Sequence, residues 1–509
     1  MQSSRMPHRP VLIINDGDLP DTARQLAQHL AGCGRVFERS GKAVVLSADG
    51  SAVQNLTAER VVVLAHDVCR PIRTSKNGEI EVTLPNRVAY LWLASDEKQL
   101  RPIAGITTAP LLSPNGEIRT REGYDAATGF YRFAAPKIDV PEYPTRADAE
   151  AALLMLRTNL RTFAFADADS PAASANELVY TNLTDPPALD ESAALVATLT
   201  ACCRQSLPLA PALLVSAPHL SGSGSGKGLL VRTICQIAYG LTPSVIARGD
   251  SQRELDQRIA SEMMAAAPVV FLDNVNDHVL RSEILAQILT EPRLRSRKLG
   301  GNHMAELRNT AFVAVTGNAL SLAEDLLRRF IVCCLDPRCE DPERREFPDE
   351  IVTRAIEARG RLLTASLTIW RWGRHNDSAM LRGCTIGSFE QWARWCRDPL
   401  LALGCRDPIE RMRAAKVNDP VRLELSELFD AWYAAHGNIP VKFIDLADPV
   451  KRLLHPAVRQ SRVSRLHQLL GARWNGSVLI KQAPVGRWGK AHYTLAQTGA
   501  DGAPGPQAS

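Results

Sequence analysis

Ala212-Leu213-Leu214-Val215-Ser216, then Ser221-Gly222-Ser223-Gly224-Ser225-Gly226-Lys227-Gly228, then Leu229 to Ile237, are the residues whose reading decides the fold. An apolar run leads into a glycine-serine loop that ends in Gly-Lys and opens a helical period. That order suits a phosphate-binding loop. Glycines let consecutive backbone N–H groups turn inward around phosphate oxygens, and the helix N-terminus adds partial positive charge. Gly222, Ser223, Gly224, Ser225, Gly226, Gly228 and Leu229 would line the loop, and Lys227 would reach the outer phosphates of ATP. A flexible linker has similar composition, but it has no reason to end in Gly-Lys between a buried strand and a helix. Two positions depart from G-x-x-x-x-G-K-[ST]: Ser221 stands at the first and Gly228 at the last. Gly228 removes the hydroxyl that would touch Mg²⁺.

Further apolar runs lie downstream. Val269-Val270-Phe271-Leu272 ends in Asp273-Asn274, an acid at a strand end that would hold Mg²⁺. Asn274 stands where many ATPases carry a carboxylate; an amide orients water but cannot act as a base. Alternatively, Asp273 caps a following helix. Ala311 to Thr316 delivers Gly317 and Asn318, and Asn318 could position a water at the γ-phosphate. Asp325-Leu326-Leu327-Arg328-Arg329 precedes the run Ile331 to Leu335. An arginine here, Arg328 or Arg329, could stabilise transition-state charge across a subunit interface; a solvated basic pair is the other reading. Continuous apolar strands flanked by helices predict an α/β fold with a parallel sheet buried on both faces.

The whole chain has 509 residues, 45% of them hydrophobic and 23% charged. At about 150 residues per domain this is a multidomain globular protein. No uncharged apolar run reaches about 18 residues, so no membrane span is expected, and the N-terminus lacks a signal-like run. Eleven cysteines without a C-x-x-C spacing fit buried free thiols in the cytoplasm better than a zinc site or a disulfide framework.

Taken in order, these elements resemble AAA+ ATPases. With Ala217-Pro218, Leu272-Asp273-Asn274-Val275-Asn276, Arg297-Lys298-Leu299-Gly300, Thr316-Gly317-Asn318 and Asp325 to Arg329, they are similar to the superfamily III-like helicase domains of phage and integrative-element primase–helicases. The resemblance covers about residues 140–410. It implies a homo-hexameric, ATP-driven, Mg²⁺-using motor that unwinds DNA. With the element pattern of the rest of the chain, the expected layout is an N-terminal α+β domain (1–144), a helical linker or collar (145–189), an AAA+ core (190–340), a helical lid and connector (341–445), a winged-helix-like domain (446–495) and a disordered tail (496–509).

Two basic segments suit DNA. Arg293 to Arg308 holds Arg297, Lys298 and His303; in the resembling helicases this position carries a hairpin that projects into the pore and could track single-stranded phosphates. Pro449 to Leu495 has nine Lys/Arg and no Asp or Glu. There Arg459, Arg462 and Arg465 share a helix, and Lys481, Arg487 and Lys490 lie on a hairpin-like stretch. Helix plus basic hairpin suggests a winged helix on duplex DNA, although a basic packing domain would have the same charge. Near the N-terminus, Asp16 and Asp18 follow a strand. Paired carboxylates could hold two metals for polymerase chemistry, but turn and helix capping by Asp16, Asp18 and Asp21 is the simpler reading. The leading expectation is a helicase. The runner-up is a DNA-binding replication initiator or loader for which ATP is only a switch, as Gly228 and Asn274 suggest.

Overall fold

The computed structural model describes residues 9–47, 52–75, 78–96, 98–168, 181–218, 224–247, 249, 251–275, 279–297, 304–318, 320–339, 341–342, 345, 350–384, 386–411, 420–454, 459–482 and 491–497. The chain divides into two units, 1–412 and 413–509.

The first unit is built around four parallel strands in the order Val269–Leu272, Phe312–Asn318, Ala212–Ala217, Phe330–Cys334. All four expected strands are present. Their residues are buried almost throughout, as a sheet covered on both faces requires. The Ile246 backbone N–H donates to the Phe271 carbonyl at 2.8 Å, which adds a short parallel bridge beyond the Val269–Leu272 edge. On the sheet lie the helices Leu189–Cys203 and Lys227–Tyr239, with Arg359–His375 packed against both.

The N-terminal part has its own core around Leu26, Val61, Val88 and Trp92. Its hairpin, Val36–Arg39 against Lys42–Leu46, turns at Ser40-Gly41, both with positive φ (51° and 77°). Two left-handed residues match the twist of the flanking strands. One expectation changes here: residues 60–140 read as mixed strands and turns, yet Ala58–Val68 and Asn86–Ala94 are helices. Val61-Val62-Val63 is β-branched, yet Thr57 caps a helix by accepting from the Arg60 N–H, and burial of Val61 and Ala65 overrides propensity. The helix Leu19–Gly32 is capped by Asp18, which accepts from the Asp21 N–H at 3.0 Å; Asp21 sits in the first turn. Asp16 accepts from Arg73 at 3.0 Å.

Residues 105–132 pack directly on the sheet domain. Thr108 donates to the Tyr239 carbonyl, the Leu112 N–H to Ser206, and Arg308 to the Thr128 carbonyl at 2.8 Å. Leu112 belongs to the main core. The expected boundary at residue 144 is therefore not a break in packing.

The second unit contains the helices Pro420–His436, Asp448–Leu454 and Arg459–Gln468, and a four-stranded antiparallel sheet in the order Val441–Lys442, His492–Gln497, Ser477–Gln482, Arg473–Trp474. Leu428, Phe429 and Trp432 share its core with Leu466, Leu479 and Leu495. The chain thus divides ahead of the expected 446, because the helix before that residue supplies core side chains. The expected tail from 496 also starts late: Ala496 and Gln497 close the last strand, and 498–509 lie outside the described residues.

All eleven cysteines are free and most are buried. Burial pushes the Cys405 thiol up to about 12. No helix among the described residues is long and apolar enough to cross a membrane.

Two buried acids at the start of the Leu189–Cys203 helix join neighbouring elements. Glu191 receives Arg157 in a bidentate pair, Nε to Oε1 at 2.7 Å and Nη2 to Oε2 at 3.0 Å, with both side chains under a tenth exposed. Asp190 accepts from the Cys334 N–H at 2.9 Å and from Arg411. Replacing Arg157 by Ala leaves Glu191 buried and unpaired, so Arg157→Ala should lower stability by about 3–5 kcal/mol, read as a shift in the denaturant midpoint. Burial outweighs the Arg411 contact and pushes the Asp190 carboxyl up to about 6. The folded chain then keeps a proton that the unfolded chain releases near pH 4. Asp190's contribution to stability is full below that pH and is lost as pH rises through 6. Unfolding free energies of wild type and Asp190→Asn, compared from pH 4 to 7, should show a steeper decline in the wild type.

Candidate functional site

The C-terminal ends of three neighbouring strands define the site. In register, Ala217 lies beside Asn318, and Leu272 beside Val315. The chain leaves the Ala212–Ala217 strand toward the glycine loop, leaves Val269–Leu272 at Asp273, and ends Phe312–Asn318 at Asn318. Open α/β sheets bind ligands along this edge.

The described part of the loop has the backbone that its glycines permit. Gly224 and Gly226 have φ of 66° and 92°, and Gly226 is the N-cap of the helix Lys227–Tyr239. Ser221, Gly222 and Ser223 lie outside the described residues. Lys227 is the first helical residue and is largely buried; its ammonium donates to the Ser225 hydroxyl at 3.0 Å. Burial lowers its pKa, and the Asp273 carboxylate opposes that shift. Leu229 is half-buried on the same helix.

Thr316 ties the end of its own strand to the chain that leaves Val269–Leu272. Its hydroxyl donates to Asp273 Oδ1 at 2.5 Å and accepts from the Asn274 N–H at 2.8 Å, while its carbonyl accepts from the Val275 N–H at 2.8 Å. Asn274 has a φ of 59°, a left-handed conformation that asparagine tolerates. The chain following Asp273 turns so closely over the neighbouring strand that a Cβ at Gly317 would stand 2.3 Å from the Val275 carbonyl oxygen. Asp273 ends a strand and caps no helix among the described residues.

The other oxygen of Asp273 faces a cation. Arg232, one helical turn beyond Gly228, places Nη2 at 3.2 Å from Asp273 Oδ2. Its guanidinium carbon lies 5.7 Å from the centre of the Phe271 ring. A Cβ at Gly228 would stand 2.7 Å from Arg232 Nη1 and 3.2–3.3 Å from the Asp273 oxygens. The expected Mg²⁺ ion therefore meets a poor donor set: residue 228 has no hydroxyl, and both carboxylate oxygens of Asp273 are engaged, one by a fixed positive charge.

Arg232 and Thr316 were not singled out by sequence reasoning. Arg345 was missed as well: largely buried, it donates to the Gly224 carbonyl at 3.1 Å from beyond the last strand of the sheet. The four-residue spacing from Gly228 to Arg232 was the available signal for the first. A hydroxyl two residues before Asn318, at a strand end, was the signal for the second. Nothing local marks Arg345.

The remaining candidates are distributed as follows. Arg328 is exposed, whereas Arg329 is half-buried and within 3.4 Å of the Ala286 carbonyl. Arg293–Arg297 and Met304–Arg308 form an antiparallel pair, with Arg297 opposite Met304. The side chain of Arg297, and Lys298 and His303 entirely, lie outside the described residues. In the second unit Arg462 and Arg465 share the helix Arg459–Gln468, but Arg465 also lies 3.7 Å from Glu424, which offsets part of its charge. Lys481 is exposed on the strand Ser477–Gln482. The Arg459 side chain and all of Arg487 and Lys490 lie outside the described residues.

No family model matches the chain. No curated protein matches it either. Among solved structures, the chain is similar to the apo C-terminal region of NrS-1, at 12% identity over 93% of this chain and 99% of that one, with a TM-score of 0.40. It is similar to SCCmec type IV Cch, an active helicase, at 11% identity over 90% of each chain and a TM-score of 0.33. It is also similar to the JCV helicase, at 13% identity over 57% of this chain and 71% of that one, with a TM-score of 0.20. Helicases are thus among the structures it resembles, but at these scores the likeness carries no argument about function.

The Thr316 junction makes a specific prediction. Thr316→Val keeps the shape but removes the acceptor for the Asn274 N–H and the donor to Asp273. It should cost about 1–3 kcal/mol of stability, and Thr316→Ser should restore most of the loss in the same denaturation experiment.

Proposed function

We propose that this protein is an ATP-driven DNA helicase, working as a homo-hexamer in the cytoplasm to replicate a phage or integrative element. One observation carries the reading: a glycine loop with Lys227 at its helix N-terminus shares one sheet edge with Asp273 and Asn318. This arrangement suits a nucleoside triphosphate. Backbone N–H groups and Lys227 take the phosphates, and Asn318 holds a water beside the terminal one. Arg328, exposed at the C-terminal end of the short helix Glu324–Leu327, is better placed than the half-buried Arg329 to serve a neighbouring subunit's site. The Arg293–Arg308 hairpin would follow single-stranded phosphates in the pore. The second unit, with three helices and an antiparallel sheet, fits a winged-helix reader of duplex DNA.

A second reading has an observation in its favour. Gly228 lacks the hydroxyl, Asn274 lacks a carboxylate, and Asp273 is held by Arg232. A site so equipped could bind ATP as an assembly switch without turning it over, as in a replication initiator or loader. DNA-stimulated ATP hydrolysis by wild type beside Lys227→Ala separates the readings. The helicase requires turnover in wild type that the variant loses while staying folded; nucleotide binding without turnover in wild type would favour the switch. Unchanged ATP binding by Lys227→Ala would remove the loop from the site.

The two basic elements should divide the work. Neutralising Arg459, Arg462 and Arg465 should weaken duplex binding and reduce its salt dependence by roughly one unit per lost phosphate contact. Neutralising Arg297, Lys298 and His303 should slow unwinding and spare much of the duplex affinity. Duplex titrations across a salt series, beside an unwinding assay, test both. An unchanged salt slope in the first variant would make the second unit a packing domain.

A further inference from the structure

Gly228 and Arg232 are best understood together. They lie four residues apart on one face of the helix that begins at Lys227. A side chain at 228 would project into the space that the guanidinium now occupies, with its Cβ only 2.7 Å from Arg232 Nη1. Hydroxyl and guanidinium are therefore alternatives: the loop can present a serine, which would leave Asp273 open to a metal, or it can present Arg232 seated on Asp273. This chain has the second arrangement. Arg232 is held at both ends of its charge, by Asp273 Oδ2 at 3.2 Å and by the face of Phe271. Its side chain remains about a third exposed. Asp273 Oδ1 is meanwhile occupied by Thr316 at 2.5 Å. A guanidinium keeps its charge across the working pH range and offers several N–H donors in a plane, a geometry suited to carboxylate on one side and phosphate on the other.

Building on the nucleotide-site reading above, we propose that Arg232, seated on Asp273 in the space left by the absent side chain of Gly228, is the built-in cation that meets the nucleotide phosphates, so that nucleotide binding needs no divalent metal. Gly228 is then a requirement of the site: it admits the arginine.

The test is binding of the non-hydrolysable ATP analogue AMP-PNP to the full chain by calorimetry, at matched ionic strength, in EDTA and in excess Mg²⁺. Wild type should bind with affinities within about threefold of each other in the two buffers. Arg232→Ala should weaken binding in EDTA by about tenfold or more, the loss expected of one charge-assisted contact, with affinity recovering when Mg²⁺ is added. Arg232→Lys, which keeps the charge, should retain part of the EDTA binding and guards against a folding defect in the alanine variant. Gly228→Ser should displace the guanidinium and make binding depend on Mg²⁺. Wild-type binding that appears only with Mg²⁺ overturns the inference while leaving the nucleotide site intact. So does an Arg232→Ala variant that binds as wild type does in EDTA. No binding by wild type in either buffer would remove the nucleotide-site reading itself, and the inference with it.

Discussion

The hydroxyl of Thr316 is the point through which the site is assembled. It donates a hydrogen bond to Asp273 and accepts one from the Asn274 backbone N–H, so a single oxygen fixes the carboxylate and the turn that follows it. Because the strands are parallel and in register, Asn318 and Ala217 also keep fixed places beside that bond. The neighbouring Gly317 allows this closeness, since any side chain there would meet the Val275 carbonyl. Arg232 then closes the group from the helix side. The chemistry of the site depends less on which acid is present than on how completely that acid is already occupied.

Much of this was legible in the sequence. The four strands are continuous apolar runs, and burial on both faces of a parallel sheet leaves no other pattern. Between Gly224 and Gly228 the left-handed backbone at two positions needs glycine, and the sequence supplies it there. The sequence failed where packing overrides local preference. Val61 to Val63 look like a strand and lie in a helix, since a capping threonine and a buried face outweigh β-branching. The start of the second unit was placed too late, because Leu428 and Trp432 were read as part of a helical connector, and only the three-dimensional core shows which sheet they serve.

Within the site, the same distinction applies. Lys227, Asp273 and Asn318 stand out by position at element ends. Arg232 resembles any basic residue on an amphipathic helix until the geometry brings it to Asp273. Its meaning comes from a missing atom four residues earlier, and a departure from a motif says what is lost before it says what takes its place. The two basic segments were legible as charge alone, and Arg465 shows the limit of that reading: part of its charge is already offset by Glu424.

The reach of Arg345 has a practical consequence for dissecting the protein. The residue lies past the last strand of the sheet, beyond the point, residue 340, where sequence order would end the sheet domain. Yet its guanidinium, nearly sealed from solvent, holds the Gly224 carbonyl in place. A fragment cut at that boundary would contain every strand and every motif residue and still lack the clamp on its own loop. Any nucleotide affinity measured on it, under the function proposed above, would then report the excision and not the intact loop.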